Sequence, residues 1–232
     1  TAAVARSSGD GHTILFGIDA TFTMNPHIYK PMPFGPGDLK PVIVFASTGL
    51  MMVAHPSTGI KTLADMVAIG KTKNLTFSSG GNGGPGHLAA EMYAAATGTK
   101  ITHVPYKGNA PAVTAVLSGE VSAGVLATSG VLPHIKAGKI NALAVTSRKR
   151  SLQAPDVPTM SEAGLPQLEA DMFYLALVPA TTPAHVSQQI QQAIVSALKQ
   201  PQVQSMLQQL DMHSEQSTGA DASKLLAGLS AR

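Results

Sequence analysis

The sequence contains no cysteine and no tryptophan, and charged and aromatic residues make up only 12% and 4% of its 232 residues. Without cysteine the chain can form no disulfide, no thiolate metal site and no cysteine nucleophile, and both oxidising and reducing compartments stay open. No apolar run approaches the roughly 18 residues that a membrane-spanning helix needs, and the first residues show no charged and apolar leader. The hydrophobic content of 44% is typical of a globular protein without a disordered tail.

Charged residues and histidines are spread thinly along the chain. The formal charge of +3 comes from 16 lysines and arginines against 13 acids, and basic residues cluster only at residues 148–150. One such cluster without interleaved aromatics is typical of a solvated loop rather than a nucleic-acid surface. The eight histidines stand singly, and neither H-E-x-x-H nor G-x-S-x-G occurs. These patterns favour neither an enzyme nor a metal site, and we expect no cofactor.

Strand-like apolar runs alternate with helix-like runs through most of the chain, which predicts an α/β protein with largely parallel sheets. The predicted strands cover residues 13–17, 41–46, 51–55, 75–78, 102–105, 123–127, 142–146 and 174–178. The predicted helices cover residues 62–70, 87–97, 110–118, 131–137, 160–163, 183–198 and 201–210. Two long apolar stretches, residues 41–56 and 172–179, are typical of strands that pass from one domain to another. They predict a first lobe of residues 1–46 plus 173–232 and a second lobe of residues 47–172.

The most informative segment is a glycine-rich loop at residues 78–87, S-S-G-G-N-G-G-P-G-H, between a predicted strand and a predicted helix. Glycine lets the backbone turn sharply and approach a ligand closely, and the free N–H groups at a helix start favour a bound anion. Residues 81–86 also match G-x-G-x-x-G, but no acidic residue follows about 20 positions later to hold a ribose. Nor does the loop end in the G-K-[ST] of a P-loop. We therefore expect a single small carboxylate, with a nucleotide as the alternative.

Six motifs follow one another along nearly the whole chain. They are D-G-H-T-I-L at 10–15, N-P-H-I-Y-K at 25–30, the glycine-rich loop with H-L-A-A-E at 87–91, H-V-P-Y-K-G at 103–108, L-P-H-I-K-A-G-K at 132–139, and A-P-D-V-P-T at 154–159 before E-A-G at 162–164. In this order they resemble the extracytoplasmic solute-binding proteins of tripartite tricarboxylate transporters, also called the Bug family. The resemblance implies a type II periplasmic binding protein fold, with two α/β lobes joined by two crossover strands.

The resemblance also implies a function, a location and partners. Such a protein is a periplasmic receptor that closes on a small organic mono- or dicarboxylate, without chemistry, and delivers it to the membrane permease subunits of a tripartite transporter. A ligand-sensing module that acts on a signalling partner is the first alternative. The second is a nucleotide-dependent enzyme that uses the glycine-rich loop. No nucleic-acid partner is expected.

In such proteins two facing loops, one from each lobe, hold the carboxylate mainly through backbone N–H groups and small hydroxyls. The glycine-rich loop corresponds to the second-lobe half of this site. Its expected ligand contacts are Ser78, Ser79, Gly80, Asn82, Gly83, Gly84, Gly86 and His87. The neutral ring of His87 is expected mainly to orient the loop. The expected contacts outside the loop are Asp19, Ala20, Thr21, Thr128 and Ser129.

The sequence departs from the family pattern in three places. Leu126 stands where family members often carry an acidic residue, so the acid that could hold an amino group of the ligand is absent at this position. The first strand, first helix and second strand of a family member have no counterpart here, so we expect this part of the first lobe to be missing. Asp19 stands where the family usually offers small neutral or hydroxyl residues. A carboxylate near a bound anion is repulsive, so Asp19 points away, pairs with a base, or accepts a hydrogen bond from an amino or hydroxyl group of the ligand.

Overall fold

The computed structural model describes residues 1–28, 30–35 and 37–230. The strands are β1 (Leu15–Ile18), β2 (Leu39–Thr48), β3 (Leu50–Ala54), β4 (Leu75–Ser79), β5 (Ile101–Pro105), β6 (Ala123–Ala127), β7 (Asn141–Val145), β8 (Met172–Pro179) and β9 (His213–Thr218). The helices are α1 (Ala2–Ala5), α2 (Ala20–Thr23), α3 (Asn25–Ile28), α4 (Leu63–Gly70), α5 (Pro85–Thr97), α6 (Asn109–Leu117), α7 (Thr128–Lys136), α8 (Ala184–Leu198), α9 (Pro201–Gln209) and α10 (Gly219–Ser230). Short 3-10 helices cover Pro56–Thr58 and Pro166–Leu168.

Residue contacts divide the chain into two compact units. Unit 1 comprises Thr1–Ser47, Met172–Gln208 and Met212–Arg232. Unit 2 comprises Thr48–Asp171 and Gln209–Asp211. Unit 2 is therefore built almost entirely from one continuous stretch, whereas unit 1 is assembled from three separate stretches.

Unit 1 contains a sheet with the strand order β1-β8-β2-β9. Antiparallel pairing joins Leu15 to Leu177 between β1 and β8, and Ile43 to Thr218 between β2 and β9. Because successive side chains of a strand point to opposite faces, β8 serves two cores. Leu175 and Leu177 pack with residues of α1, α2 and α10, whereas Ala176 and Val178 pack with residues of α8 and α9. Helices therefore cover both faces of this sheet.

Unit 2 contains a sheet with the strand order β5-β4-β6-β3-β7. Strand β4 is parallel to both of its neighbours, β5 and β6, whereas β3 is antiparallel to β6 and β7. The prediction of largely parallel sheets is therefore wrong. A parallel pair needs a long crossover connection, but β3 follows β2 directly and enters the sheet between β6 and β7 in the opposite direction.

The pleat of β4 separates the two faces of the unit 2 sheet. Phe77 packs against Tyr93 of α5, with the ring centroids 5.9 Å apart, and both rings are buried. The neighbouring Ser78 points to the other face, where its Oγ donates to the carbonyl of Ala112 in α6 at 3.0 Å. On that face Val113 and Val116 of α6 pack in a cluster with Met51, Val53, Leu126, Val131 and Val145. Helices α5 and α6 therefore lie on opposite faces.

Three segments, residues 160–163, β9 and α10, differ from the predicted elements. Residues 160–163 form a turn rather than a helix, because Thr159 bridges to Val145 and the Met160 N–H donates to the Val145 carbonyl. Strand β9 and helix α10 were not predicted, since the sequence of β9 is polar and that of α10 is interrupted by glycine. Among the described residues no helix is long and apolar enough to cross a membrane.

Candidate functional site

Three helices begin at one edge of the unit 2 sheet. Strands β4, β5 and β6 share one direction, so their carboxyl ends lie at the same edge, and each is followed there by a helix. From β4 the chain passes through α5 to β5 on one side of β4, and then through α6 to β6 on its other side. Such a reversal of strand order is the common place for a ligand site in an α/β sheet.

None of these three helices has a side-chain cap within the described part of the chain. Gly84, Gly108 and Ala127 occupy the N-cap positions of α5, α6 and α7, and none can offer a side-chain acceptor. The first N–H groups of a helix have no partner within the helix, and the helix dipole adds partial positive charge at this end. An edge with three such ends favours a bound anion.

The two serines at the end of β4 are buried inside the loop framework. Ser78 is fully buried, and its hydroxyl donates a hydrogen bond to the carbonyl of Ala112. The Oγ of Ser79 lies 2.7 Å from Nε2 of His103, accepts the Gly81 N–H at 3.3 Å, and is 3.1 Å from the Gly81 carbonyl. With 0% and 1% exposure, neither hydroxyl is presented to solvent. Both serines therefore support the loop through hydrogen bonds inside the protein.

Backbone conformation and close packing explain the glycines of the loop. Gly81 and Gly83 have φ angles of 152° and 68°, a region that side chains disfavour. A Cβ at Gly86 would lie 2.4 Å from the carbonyl oxygen of Val125, so only glycine lets α5 start this close to β6. Gly84 has an extended backbone, and a Cβ there would make only an ordinary contact, 3.5 Å from the Gly81 carbonyl oxygen, so neither constraint applies to it.

A neighbouring loop holds the glycine-rich loop in place. The Tyr106 N–H donates to the Ser79 carbonyl, and the Gly108 N–H donates to the Gly80 carbonyl, both at 3.0 Å. Asn109 then extends the connection to the third loop, since its Oδ1 accepts the Ala127 N–H at 2.8 Å. The three loops at this edge are therefore linked by hydrogen bonds. Of the loop residues themselves, Gly80 and Asn82 are exposed.

His87 orients the loop from the first turn of α5. Its Nδ1 accepts the Gly83 N–H at 3.0 Å, and its Nε2 lies 3.6 Å from Oε1 of Glu91. Its ring stacks on that of His103 of β5, with centroids 3.8 Å apart and an interplanar angle of 11°. The pKa of His103 is lowered by burial and, to a smaller extent, by His87.

Thr128 and Ser129, which follow the predicted strand at 123–127, belong to the first turn of α7. The helix begins three residues earlier than the predicted residue 131, with Ala127 as its N-cap. Thr128 is buried and its hydroxyl donates to the Gly49 carbonyl at 2.8 Å. Ser129 is exposed, and its hydroxyl has no hydrogen-bond partner within the described ranges. Only Ser129 of this pair offers its hydroxyl to solvent.

The three predicted contacts of unit 1 follow β1. Asp19 precedes the short helix α2, which contains Ala20 and Thr21. The Asp19 carboxylate is buried and accepts the Phe173 N–H at 2.9 Å, while the Asp19 N–H donates to the Phe173 carbonyl at 3.0 Å. Ala20 is also buried, whereas Thr21 is half-buried. Asp19 therefore fastens α2 to β8.

His103 and Asn109 are site residues that the sequence analysis missed. Both lie in or next to the H-V-P-Y-K-G motif at 103–108, which marked the resemblance but was not connected to the glycine-rich loop. The connection depends on parallel pairing of β4 with β5, which sets Phe77 beside His103 and Ser79 beside Pro105. Tyr106, the bulky residue of the motif, instead donates its hydroxyl to Glu120 at 2.8 Å.

Other polar groups of unit 2 have structural partners. Arg148 pairs with Asp171 at 2.5 Å and Arg150 with Glu162 at 2.8 Å, which neutralises most of the basic cluster. The Arg150 hydrogen bond also lowers the pKa of the Glu162 carboxyl. Within residues 1–28, 30–35 and 37–230, no group of three or more acids and histidines is arranged to hold a metal ion.

An open groove of about 650 Å³ lies elsewhere in unit 2, beside β7. Its walls come from the start of α4, from β7 and from the segment around Pro158. Most of its lining is apolar, and Lys61 and Asp156 are its charged residues. It does not include the glycine-rich loop.

The fold is shared with solved periplasmic binding proteins. Periplasmic binding protein BugD matches with a TM-score of 0.84 and 27% identity, covering 98% of this chain and 77% of that chain. Rpa4515 of R. palustris, solved with adipate, matches with a TM-score of 0.91 and 27% identity. The match covers 100% of this chain and 78% of that chain. The prediction of an α/β periplasmic binding fold is confirmed.

The family is shown by the sequence as well. Residues 1–232 match the family described as tripartite tricarboxylate transporter family receptor, and the chain belongs to this family. A protein from Agrobacterium vitis, described as a UPF0065 protein in the TAR-I ttuE-ttuC' intergenic region, is 34% identical over 206 residues. Protein BugT of Bordetella pertussis is 33% identical over 190 residues. These matches cover 86% and 78% of this chain, which spans 58% and 57% of the two relatives.

Proposed function

We propose that this chain is the solute-binding part of a periplasmic receptor that captures a small organic carboxylate for a tripartite tricarboxylate-type transporter. The observation that carries the proposal is the uncapped start of α5 behind the glycine-rich loop. Family membership supports the receptor role and the permease partner. The adipate in the structure of Rpa4515, a dicarboxylate, supports the ligand class.

The chemistry of the loop favours a carboxylate over a polyphosphate. Residues 78–87 contain no lysine or arginine that would neutralise several negative charges. Backbone N–H donors and one helix dipole match the single charge of a carboxylate group. Because these donors are fixed dipoles rather than exposed ion pairs, we expect the affinity to depend only modestly on salt.

The buried serines change which contacts we propose. The N–H groups of Gly81 and Gly83 already donate to Ser79 and His87. The carboxylate is held by the N–H groups at the start of α5, with Ser129 as a hydroxyl donor. Ser78, Ser79 and Thr128 act from beneath, since their hydroxyls already have protein partners. We also propose the half-buried Thr21 as a ligand contact.

We propose that Asp19 has a structural role rather than a role in binding. Its carboxylate is buried and accepts the Phe173 N–H, so it is held away from a bound anion by its own hydrogen bond. Of the three possibilities for Asp19, we propose the one in which its carboxylate points away from the ligand. In this case the ligand needs no amino group to pair with Asp19.

The test is a thermal-shift screen of small carboxylates on the purified chain. Adipate, succinate, malate, citrate, glutamate, nicotinate and terephthalate are compared with NAD and ATP. A ligand that binds only the folded state raises the melting temperature, so saturable stabilisation by one class of carboxylate is expected. Stabilisation by a nucleotide alone would support the alternative enzyme, and no stabilisation by any compound would contradict binding by this chain.

A second experiment distinguishes the transport role, with a permease partner, from the ligand-sensing alternative, with a signalling partner. If the receptor serves transport, deletion of its gene abolishes uptake of the stabilising carboxylate, and a transcriptional response to that compound persists. The ligand-sensing alternative predicts the reverse result. Unchanged uptake in the deletion strain would therefore contradict the transport role.

A further inference from the structure

Two histidine rings, His87 and His103, lie directly beneath the glycine-rich loop and form what we call the histidine pair. The rings come from different elements, α5 and β5, yet stack at 3.8 Å with an angle of 11°. Both rings are partly buried. Each makes one hydrogen bond to a different point of the loop framework, so the pair connects the loop to the sheet.

The bond of His87 depends on its protonation state. Nδ1 can accept the Gly83 N–H only while it carries no proton, which places the ring proton of neutral His87 on Nε2, towards Glu91. When the ring takes up a proton, Nδ1 becomes a donor and faces another donor. Acid therefore removes the hydrogen bond that holds Gly83, and replaces it with a repulsive contact.

The bond of His103 supports a second point of the loop. Its Nε2 lies 2.7 Å from Ser79 Oγ, and that oxygen also accepts the Gly81 N–H. Gly81 and Gly83 are the two loop glycines with positive φ angles, so the pair holds the loop at its two sharpest turns. A change in ring geometry is transmitted directly to both turns.

The surroundings provide little compensation for two positive rings. Glu91 faces His87 from the same helix, and its side chain is 53% exposed. The strands packed on α5, β4 and β6, contain no acidic or basic residue, and β5 contributes only His103. The 3-10 helix Pro166–Leu168, which also packs on α5, contains none either. Burial and the charge of His87 both lower the pKa of His103.

We propose that the histidine pair is a proton-sensitive latch, which holds the glycine-rich loop in its carboxylate-binding shape only while both rings are neutral. This inference rests on the proposed function for its biological meaning, but the loop rearrangement itself does not require a ligand. Protonation of His87 releases Gly83, and the repulsion between two charged rings loosens Ser79 and Gly81. His87 and His103 are thus positioning residues, and mild acid lowers the affinity of the site.

The latch is tested without ligand by NMR on the chain with labelled histidine and glycine. Near neutral pH the ring nitrogens of His87 show the neutral form with its proton on Nε2. Between about pH 8 and about pH 5, the amide signals of Gly81 and Gly83 move with the same midpoint as the His87 ring. In His87→Gln that movement disappears, and exchange of the Gly83 amide proton becomes about five- to tenfold faster at neutral pH.

His55 provides a matched control. Its Nδ1 also accepts a backbone N–H, that of Ser57, but it lies at the exposed 3-10 helix Pro56–Thr58 and stacks on no second histidine. His55→Gln is expected to leave the movement of Gly81 and Gly83 unchanged. A His87 ring that titrates while both glycine amides stay still would overturn the latch, as would a Gly83 amide that moves equally in His87→Gln.

Adipate binding then separates this inference from the proposed function. Because adipate itself takes up protons in acid, its affinity is compared between the native chain and His87→Gln at each pH. The native chain is expected to lose affinity more steeply with acid than the variant. Equal slopes would contradict the latch even though binding occurs. If no carboxylate binds but the amides still move with His87, the proposed function fails and the latch stands.

Discussion

Helices α4 and α5 of the same unit begin in opposite ways. At α4, Thr62 accepts the Asp65 N–H at 3.1 Å, while the Asp65 carboxylate accepts the Thr62 N–H at 2.9 Å, a complete capping box. At α5, neither Gly84 nor Pro85 provides a side-chain acceptor. The difference teaches that the chain caps a helix start that only has to be stable, and leaves donors available where we propose that an anion binds.

The largest expected effect on stability comes from filling the space beside Gly86 at the start of α5. Gly86→Ala places a Cβ 2.4 Å from the Val125 carbonyl oxygen and 3.2 Å from Ser79 Cβ, so α5 has to shift. Overpacking of this kind costs about 1–3 kcal/mol of unfolding free energy, measured by urea unfolding. Adipate binding is expected to be lost as well, because the shift moves the helix start.

Gly228→Ala is the matched control for this substitution. It makes the same chemical change in helix α10, where a Cβ meets no atom within 4 Å. Alanine is the better helix former by about 1 kcal/mol, so this variant should gain stability and keep full binding. A Gly86→Ala variant as stable as the native chain would show that α5 tolerates displacement.

The second largest expected effect is on adipate binding. It comes from a substitution that gives α5 a side-chain cap like that of α4. Gly84 has φ −79° and ψ 168°, which an aspartate adopts without strain, and a Cβ there has ordinary contacts. Gly84→Asp should stabilise the helix by about 0.5 kcal/mol through capping and the dipole. The same carboxylate repels a bound anion, so adipate affinity should fall at least about tenfold by calorimetry.

Gly84→Ser separates charge from capping in this experiment. Serine caps the helix through a neutral hydroxyl, so it should reduce the affinity less than aspartate does. If aspartate at this position leaves adipate affinity unchanged, the carboxylate does not bind at the α5 start.

The third effect removes the cap of α4. Thr62→Ala eliminates the hydroxyl that accepts the Asp65 N–H and should cost about 1 kcal/mol of unfolding free energy. Thr62→Ser keeps the acceptor and should restore most of the stability. Adipate affinity at fixed pH should be the same in both variants, since α4 does not contribute to the glycine-rich loop. A fall in affinity for Thr62→Ala would contradict the separation of the two helix starts.

The smallest expected effect is the order in which the contributions of His103 and Asp65 to the free energy of unfolding are lost as the pH falls. The pKa of His103 is lowered in the folded chain, so its contribution to stability is present above its ordinary pKa of about 6.5 and is lost as pH falls below it. The pKa of Asp65 is also lowered, mainly by the Lys61 N–H, so its contribution is lost only below about pH 4.

Urea unfolding across pH should therefore show two steps. His103→Gln should flatten the step near pH 6, and Asp65→Asn should flatten the step near pH 4. A stability that is constant between about pH 7 and about pH 5 in the native chain would contradict the first assignment.

The buried strands of unit 2 could be predicted well because their sequences are short apolar runs between turn residues. Strand β6 has the predicted bounds, and β4 extends only one residue further, to Ser79. The predicted family and fold are confirmed by the comparisons. The division into two lobes and the ligand contacts stay predictions.

Strand β9 could not be predicted from its own residues. Its sequence, H-S-E-Q-S-T, has no apolar side chain, and it forms the edge of the sheet, where only partial burial is needed. What makes it a strand is backbone pairing with the apolar β2, 170 or so positions earlier in the chain. Such long-range pairing leaves no periodic signal in the edge strand itself.

The details of the site also depended on tertiary structure. The glycine-rich loop could be recognised from its composition, yet the burial of Ser78 and Ser79 follows from the pleat of β4 and from which helix covers each face. The stacking of His103 on His87 requires β5 to lie parallel beside β4. Neither orientation nor strand order is encoded locally, so the histidine pair was invisible in the sequence.

The separate stretches of unit 1 have a consequence for the order of folding. The five strands of the unit 2 sheet lie between Leu50 and Val145. In unit 1, β1 and β2 pair with β8 and β9, which end at Pro179 and Thr218. Pairing over such long separations is slow because a long loop has to close first, so the sheet of unit 2 is expected to form before that of unit 1.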